Sequence, residues 1–292
     1  ASRRSSIGSP RHRGRDLFLR AGQPAWVIGK FAYGVLDDDI KDEDVDVWLL
    51  RGCGSTWTRV GTFRTTEDRA HPTVLGVEDT GGRLYVDLTA EGQAPLEVGR
   101  HRVLLSVQAD RSAAELFLEV LPASAQVVVT DIDGTLTSSE WAAVTDIIGL
   151  APPEAHPGAA DVMTTLVARG YSMLYLTARP EWMTPVTREW LALRGFPPGV
   201  LHTTLSALGA VGGPAAAYKT TELASLSTEL GLVPAWAFGN KDTDAEAYDN
   251  AGVTPAHAYY YGLPAADARG GQVHEDYRGL VPIVAQTPSI CP

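Results

Sequence analysis

Cysteine is almost missing from this chain: Cys53 and Cys291 are the only two in 292 residues. Neither stands in a close pair of the metal or redox type, which excludes zinc-bound scaffolds and disulfide-dense folds. Whether the two would pair in an oxidising compartment stays open. Long apolar runs are missing as well. No segment reaches the ~20 residues that a helical bilayer span needs, so a soluble or peripheral protein is expected, cytoplasmic rather than exported. Positive charge is also short, with 24 Lys and Arg against 35 Asp and Glu and a formal net charge of −11. A general nucleic-acid binder, which gathers phosphates with clustered cations, is therefore not expected. Gly and Pro, at 29 and 19, lack the excess of collagen-like or low-complexity chains.

What is present is enough apolar sequence, 45%, to fill more than one core, and the length exceeds the usual single domain. Charge is placed unevenly. Residues 1–20 hold Arg3, Arg4, Arg11, Arg13, Arg15 and Arg20 against Asp16 alone, +5 there and −16 over the rest. Residues 1–20 thus read as a basic, disordered tail, either solvated or drawn to an anionic membrane surface.

Two periodicities follow. Within residues 21–122, short alternating segments (25–31, 44–50, 56–63, 84–88, 101–108 and 115–121) are separated by turns such as Arg51-Gly52-Cys53-Gly54, the pattern of a small β-sandwich. Trp26, Trp48 and Trp57 are expected in its core. Within residues 123–292, apolar runs at 126–130, 172–177, 199–203, 235–238 and 256–260 alternate with amphipathic stretches at 158–169, 185–194, 220–230 and 244–251. That alternation predicts an α/β domain, a parallel sheet with helices on both faces, whose ligands bind beyond the carboxyl ends of the strands. The segment Gly209–Pro214 is expected to be a loop. His156, His202 and His274 show no ligand spacing.

The chemistry concentrates where the first run of the second half ends. Asp131-Ile132-Asp133-Gly134-Thr135 puts two carboxylates on one side of an extended backbone. One can attack phosphorus while its neighbour handles the leaving-group proton. Magnesium would offset the repulsion between carboxylate and phosphate, and Gly134 would let a backbone N–H point at the phosphoryl group.

This pentapeptide resembles the first motif of haloacid dehalogenase-like phosphatases, and three further stretches resemble the others. Thr177, closing Met173–Thr177 ahead of Ala178-Arg179, is similar to the second. Lys219, expected just before a helix, is similar to the third. Phe238-Gly239-Asn240-Lys241-Asp242-Thr243-Asp244 is similar to the fourth, with Asn240 where Asp is common. Asn240 and the sequence after it, with Trp26–Asp37 in the first half, resemble the lipins and the lipin-like domain of membrane-associated phosphatidylinositol-transfer proteins.

The resemblance implies an immunoglobulin-like β-sandwich before a haloacid dehalogenase-like catalytic domain, and a magnesium-dependent phosphatase of phosphatidic acid. It makes Asp131 nucleophile and metal ligand, and Asp133 acid/base and ligand. Gly134, Thr177, Ala178, Arg179 and Lys219 would hold the phosphoryl group, Asn240 would bind the metal, and Asp244 would support the metal or Lys219. Neither the gap after Asp133 nor that from Thr177 to Lys219 has room for a cap domain. An open site suits a phosphate carried on a large body such as a membrane. The alternatives are a phosphatidic-acid-binding module without turnover, or a phosphatase of a soluble ester or phosphoprotein.

Overall fold

The computed structural model describes residues 8–138 and 152–289, and the chain divides into two compact units, Ala1–Ala123 and Ser124–Pro292. Among the described residues of the first unit the strands are β1 (Arg13–Gly14), β2 (Leu17–Arg20), β3 (Trp26–Lys30), β4 (Ala32–Tyr33), β5 (Asp38–Asp39), β6 (Asp44–Leu50), β7 (Thr58–Arg64), β8 (Arg83–Asp87), β9 (Gly99–Val107) and β10 (Ala113–Leu121). One sheet has the order β2-β10-β9-β6-β7 and the other β1-β3-β8, while β4 and β5 form a hairpin. Side chains alternate along each strand. Val45, Val47 and Leu49 therefore share a core with Val103, Leu105 and Val107 of their own sheet and with Val27, Leu84 and Val86 of the other. The same alternation turns Trp48 away from that core and leaves it half-buried. Trp57 lies under the Arg102 guanidinium at 5.5 Å, and Trp26 packs at the core's edge. The three tryptophans flank the core they were expected to fill.

Residues 10–20 are not a disordered tail. β1 pairs antiparallel with β3, and β2 pairs parallel with β10, so this stretch adds one strand to each sheet. Three arrangements hold it there. Arg13 is buried and forks onto Asp37 at 2.6 and 2.7 Å. Buried Asp16 accepts from the Phe117 amide at 2.7 Å, and Arg20 donates to the Pro122 carbonyl. A paired cation can be buried where a lone one cannot, which is how an arginine-rich stretch enters a sheet. Arg3 and Arg4 lie outside the described residues, as does Cys291; Cys53 is exposed with a free thiol.

Among the described residues of the second unit the strands and α-helices are β11 (Val127–Thr130), α1 (Ala159–Ala168), β12 (Ser172–Pro180), α2 (Thr184–Leu193), β13 (Val200–Thr204), α3 (Gly213–Leu230), β14 (Trp236–Gly239), α4 (Asp242–Asn250), β15 (Ala258–Tyr261), β16 (Gln272–His274) and α5 (Val281–Val284). Six parallel strands run in the order β13-β12-β11-β14-β15-β16. One face of the sheet, carrying Val128, Met173, Tyr175, Trp236 and Phe238, is covered by Val162 and Leu166 of α1 and Trp190 and Leu191 of α2. On the other face α3 packs on β12, and α4 on β14 and β15. The fold is thus a β-sandwich followed by an α/β domain with a parallel sheet covered on both sides. From β11 the chain winds towards β12, and from β14 towards β15. The carboxyl ends of β11 and β14 therefore flank the switch point, where open α/β sheets bind ligands.

Candidate active site

β11 is wholly buried and delivers Asp131 to that switch point; the Asp131 N–H donates to the Phe238 carbonyl at 2.9 Å, continuing the pairing with β14. Lys219 arrives from the opposite side, donating to Asp131 Oδ1 at 2.6 Å and Asp244 Oδ1 at 2.5 Å. It sits inside α3 rather than ahead of a helix. α3 starts at Gly213, with Pro214 in its first turn, where the missing N–H costs nothing, and alanines follow. The glycine and proline that read as a loop are in part a helix start.

All three groups are buried. Burial pushes the Asp131 carboxyl up to about 6; Lys219 pulls it down, and the Asp244 and Asp133 charges add to the rise. Burial alone would lower the Lys219 ammonium, but Asp131 and Asp244 outweigh it and hold it charged well above the usual lysine range.

The loop after β11 is shaped by close approach. Gly134 has φ +77, and a Cβ there would come within 2.2 Å of the Asn240 side-chain nitrogen, so glycine is needed twice over. Its N–H donates to Thr137 Oγ1 at 2.9 Å. That satisfies the turn and corrects the expectation that this N–H points at phosphate.

The Thr135 hydroxyl lies 3.1 Å from Asp131 Oδ2 and 2.9 Å from Asn240 Oδ1. These two oxygens therefore flank one point. Among the described residues no cluster of three His, Cys, Asp or Glu side chains could hold a metal. The oxygens drawn together here are one carboxylate and one amide oxygen. An all-oxygen set with a single charged ligand fits magnesium, which keeps waters and shares phosphate oxygens instead of needing a protein cage.

Asp244 does not join that set. Its Oδ1 is on Lys219 and its Oδ2 accepts from the Asn240 and Lys241 amides at 3.0 and 3.1 Å. A Cβ at Gly239 would meet the Asp244 Cβ at 2.6 Å, so glycine makes room for this carboxylate. Asp244 holds Lys219 and the loop after β14, one of the two roles the resemblance gave it.

Asp133 is held by the second motif. β12 shifts register against β13 between Thr177 and Pro180, and such bulges re-aim side chains. Thr177 Oγ1 donates to Asp133 Oδ2 at 3.2 Å. Arg179 forks onto both Asp133 oxygens at 2.8 and 2.7 Å, while its Nη1 donates to Thr187 at 2.9 Å. Arg179, expected on substrate, here holds Asp133. The Ala178 carbonyl accepts from the Ala210 amide at 3.0 Å. A pocket of about 300 Å³ opens over Asp131, Asp133, Ala178, Arg179, Lys219 and Lys241.

Two residues had no site role in sequence: Tyr277 went unnoticed, and His156 was set aside for want of ligand spacing. Tyr277 donates to the Thr135 carbonyl at 2.9 Å, and His156 Nε2 lies 3.2 Å from the Gly134 carbonyl. His156 in turn stacks on Tyr261 at 3.7 Å. Together they brace two successive carbonyls of the aspartate loop. Nothing in their spacing marks them, because only the folded sheet brings residue 277 to residue 135.

Fold and site together define a β-sandwich followed in the chain by an α/β domain that gathers Asp131, Lys219 and Asp244 at its switch point. Residues 10–120 match the family PITM 1-3, beta-sandwich domain, and residues 128–262 the family PITM 1-3, LNS2 domain, one match in each compact unit. It is 30% identical over 255 residues to membrane-associated phosphatidylinositol transfer protein 2 of Mus musculus, covering 87% of this chain and 17% of that protein. It is 26% identical over 253 residues to protein retinal degeneration B of Drosophila melanogaster, covering 86% and 18%. The chain thus spans under a fifth of the length of these relatives. Among solved structures it is similar to the cobalt-bound deoxy-D-mannose-octulosonate 8-phosphate phosphatase of Haemophilus influenzae, at 18% identity and a TM-score of 0.39, covering 56% of this chain and 88% of that one. No helix among the described residues is long and apolar enough to cross a membrane.

Proposed function

We propose that this protein is a magnesium-dependent phosphatase that hydrolyses phosphatidic acid to diacylglycerol and phosphate through an aspartyl-phosphate on Asp131. The observation that carries this is the buried Asp131 carboxylate at the sheet's switch point, 2.6 Å from Lys219 and two residues before Asp133. Asp131 attacks phosphorus, the ester P–O bond breaks, and the leaving alkoxide takes a proton from Asp133. Asp133 then takes a proton from water as that water attacks the aspartyl-phosphate and frees phosphate. Lys219 and Thr177 hold the phosphoryl oxygens. An incoming dianion competes with Asp133 for the Arg179 fork and releases Asp133 for proton transfer.

Among the described residues, Asp131, Asp133 and Asp244 form ion pairs with Lys219 and Arg179, while Lys241 and Asp242 on the pocket's wall offset each other. With three carboxylates against two cations, a phosphate dianion meets net repulsion. Magnesium on Asp131, the Asp133 carbonyl and Asn240 would supply the missing positive charge.

The resemblance to lipins and the phospholipid named for the relatives favour a lipid phosphate as substrate. The second interpretation, lipid binding without turnover, is favoured by one contact, the Arg179 fork that already occupies Asp133. Phosphate release from phosphatidic acid in mixed micelles, with magnesium and with excess chelator, beside a soluble chromogenic ester, separates these outcomes. Magnesium-dependent release from the lipid is expected. Lipid binding with no release from either substrate would sink the enzyme assignment, and faster release from the ester would sink the lipid.

A further inference from the structure

Leu208 and Val211 are, at 95% and 80%, the most exposed large aliphatic side chains among the described residues of the α/β unit. Both stand on the rim of the pocket that holds Asp131 and Lys219. Their loop is pinned, so the exposure is held in place. The Ala210 amide donates to the Ala178 carbonyl at 3.0 Å and the Gly209 amide to the Ser206 carbonyl at 3.2 Å. The Trp182 indole N–H donates to the Ala207 carbonyl at 2.9 Å. Gly209 has φ +75, and a Cβ there would press within 2.9 Å of the Ala178 carbonyl. The loop thus hangs from the strand that bears Thr177 and Arg179.

The chain around it is bare of charge. From Thr203 to Tyr218 there is no Asp, Glu, Lys or Arg, in a protein whose residues are 20% charged. Across the pocket the wall is Lys241, Asp242 and Thr243. The mouth therefore has one apolar side and one charged side.

We propose that Leu208 and Val211 form a lipid-docking wedge, entering the apolar layer of the same bilayer that presents a phosphate ester to the pocket. The proposal rests on the phosphate-binding role of that pocket and says how a substrate in a membrane would reach it. A pocket of about 300 Å³ has room for a headgroup but not for acyl chains. Those chains must stay in the bilayer, so the rim has to come down to the interface. Two aliphatic tips on an uncharged loop can cross the headgroup layer without burying charge, whereas the Lys241–Asp242 side suits the polar zone.

The test uses the full chain, the double variant Leu208→Ser/Val211→Ser and the apolar control Leu208→Met/Val211→Ile. Each is sedimented with phosphatidylcholine vesicles with and without phosphatidic acid, and assayed on a soluble phosphate ester. The double serine variant is expected to bind both vesicle types at least about tenfold more weakly, to keep ester hydrolysis within about twofold, and the control to bind like the wild type. Unchanged vesicle binding in the serine variant would overturn the wedge. So would a wild type that binds no vesicle, which would leave the patch to a protein partner. A wild type that fails on the soluble ester and on phosphatidic acid alike, while vesicle binding still depends on Leu208 and Val211, would sink the phosphatase assignment and leave the wedge standing.

Discussion

Both units bury lysine, and the two burials differ in what surrounds the charge. In the sandwich, Lys30 reaches Asp39 at 2.7 Å, the Gly81 carbonyl at 2.6 Å and the Thr80 hydroxyl at 3.1 Å. There the ammonium meets the Asp39 carboxylate and two neutral oxygens. In the α/β unit, Lys219 is shared by Asp131 and Asp244, with Asp133 close enough to raise the Asp131 pKa further. The sandwich also has a wider hollow, about 930 Å³, rimmed by Asp39, Lys41, Asp68 and Asp79. Three of its carboxylates are engaged: Asp39 by Lys30, Asp68 by Lys41, and Asp79 by Thr66 and the His71 and Gly81 amides. Matched buried charge ties strands together, and unmatched buried charge facing a pocket is where substrate and metal have work to do.

The sharpest way to break this comparison is to change both lysines alike. Lys219→Met should lower phosphate release by at least about a hundredfold, since it removes a cation from the developing charge. Lys30→Met should leave turnover of the folded protein within about twofold but cost on the order of 2–4 kcal/mol in denaturant unfolding, because Asp39 loses its partner. Equal loss of activity in the two variants would erase the distinction.

A smaller effect comes from His12, in the stretch that enters the sandwich. Burial holds it down to about 4, against the Asp110 charge that favours protonation. Its Nδ1 accepts from the Ala32 amide at 3.3 Å and its Nε2 meets the Ser112 hydroxyl at 2.8 Å, so protonating Nδ1 breaks a buried bond. Between pH 6.5 and about 4 the unfolded chain binds the extra proton and the folded one does not. The His12 contribution is therefore complete above pH 6.5 and disappears as pH falls to about 4, worth on the order of 3 kcal/mol. Unfolding midpoints at pH 7 and pH 5 should show it, and His12→Gln should flatten the difference. A variant with an undiminished pH slope would remove His12 as the cause.

The smallest expected effect is at Tyr277. Tyr277→Phe removes one hydrogen bond to the Thr135 carbonyl, costing about 1 kcal/mol of stability. If the brace positions the aspartate loop, kcat should fall about five- to tenfold with KM little changed. A stability loss with unaltered kcat would make Tyr277 merely structural.

Much of this was legible from sequence where periodicity is strong. β6, β10 and, from Val103 on, β9 carry an apolar residue at every second position, and β11, β12 and β14 are apolar runs that end on chemistry-bearing residues. Residues 10–20 were not, because arginines hide strand character until Asp37 and the Pro122 carbonyl neutralise or bind them. The start of α3 was masked by Gly212, Gly213 and Pro214, and β16 is only three residues long. The aspartates and Lys219 stood out by type and order. What each of their oxygens touches did not: the Asp244 bonds to Lys219 and to two amides, the Arg179 fork on Asp133 and the bracing by His156 and Tyr277 depend on approaches between distant parts of the chain.

The central claim is covalent chemistry at Asp131, and trapping the intermediate tests it most directly. Phosphatidic acid labelled in its phosphate is mixed with the protein and magnesium, the reaction is quenched in acid, and the protein is digested to locate label. The account predicts a hydroxylamine-labile phosphoryl group on the peptide containing Asp131, and none in Asp131→Asn, whose turnover falls by at least about a thousandfold. Steady phosphate release with no label at Asp131, or turnover that survives in Asp131→Asn, would contradict it.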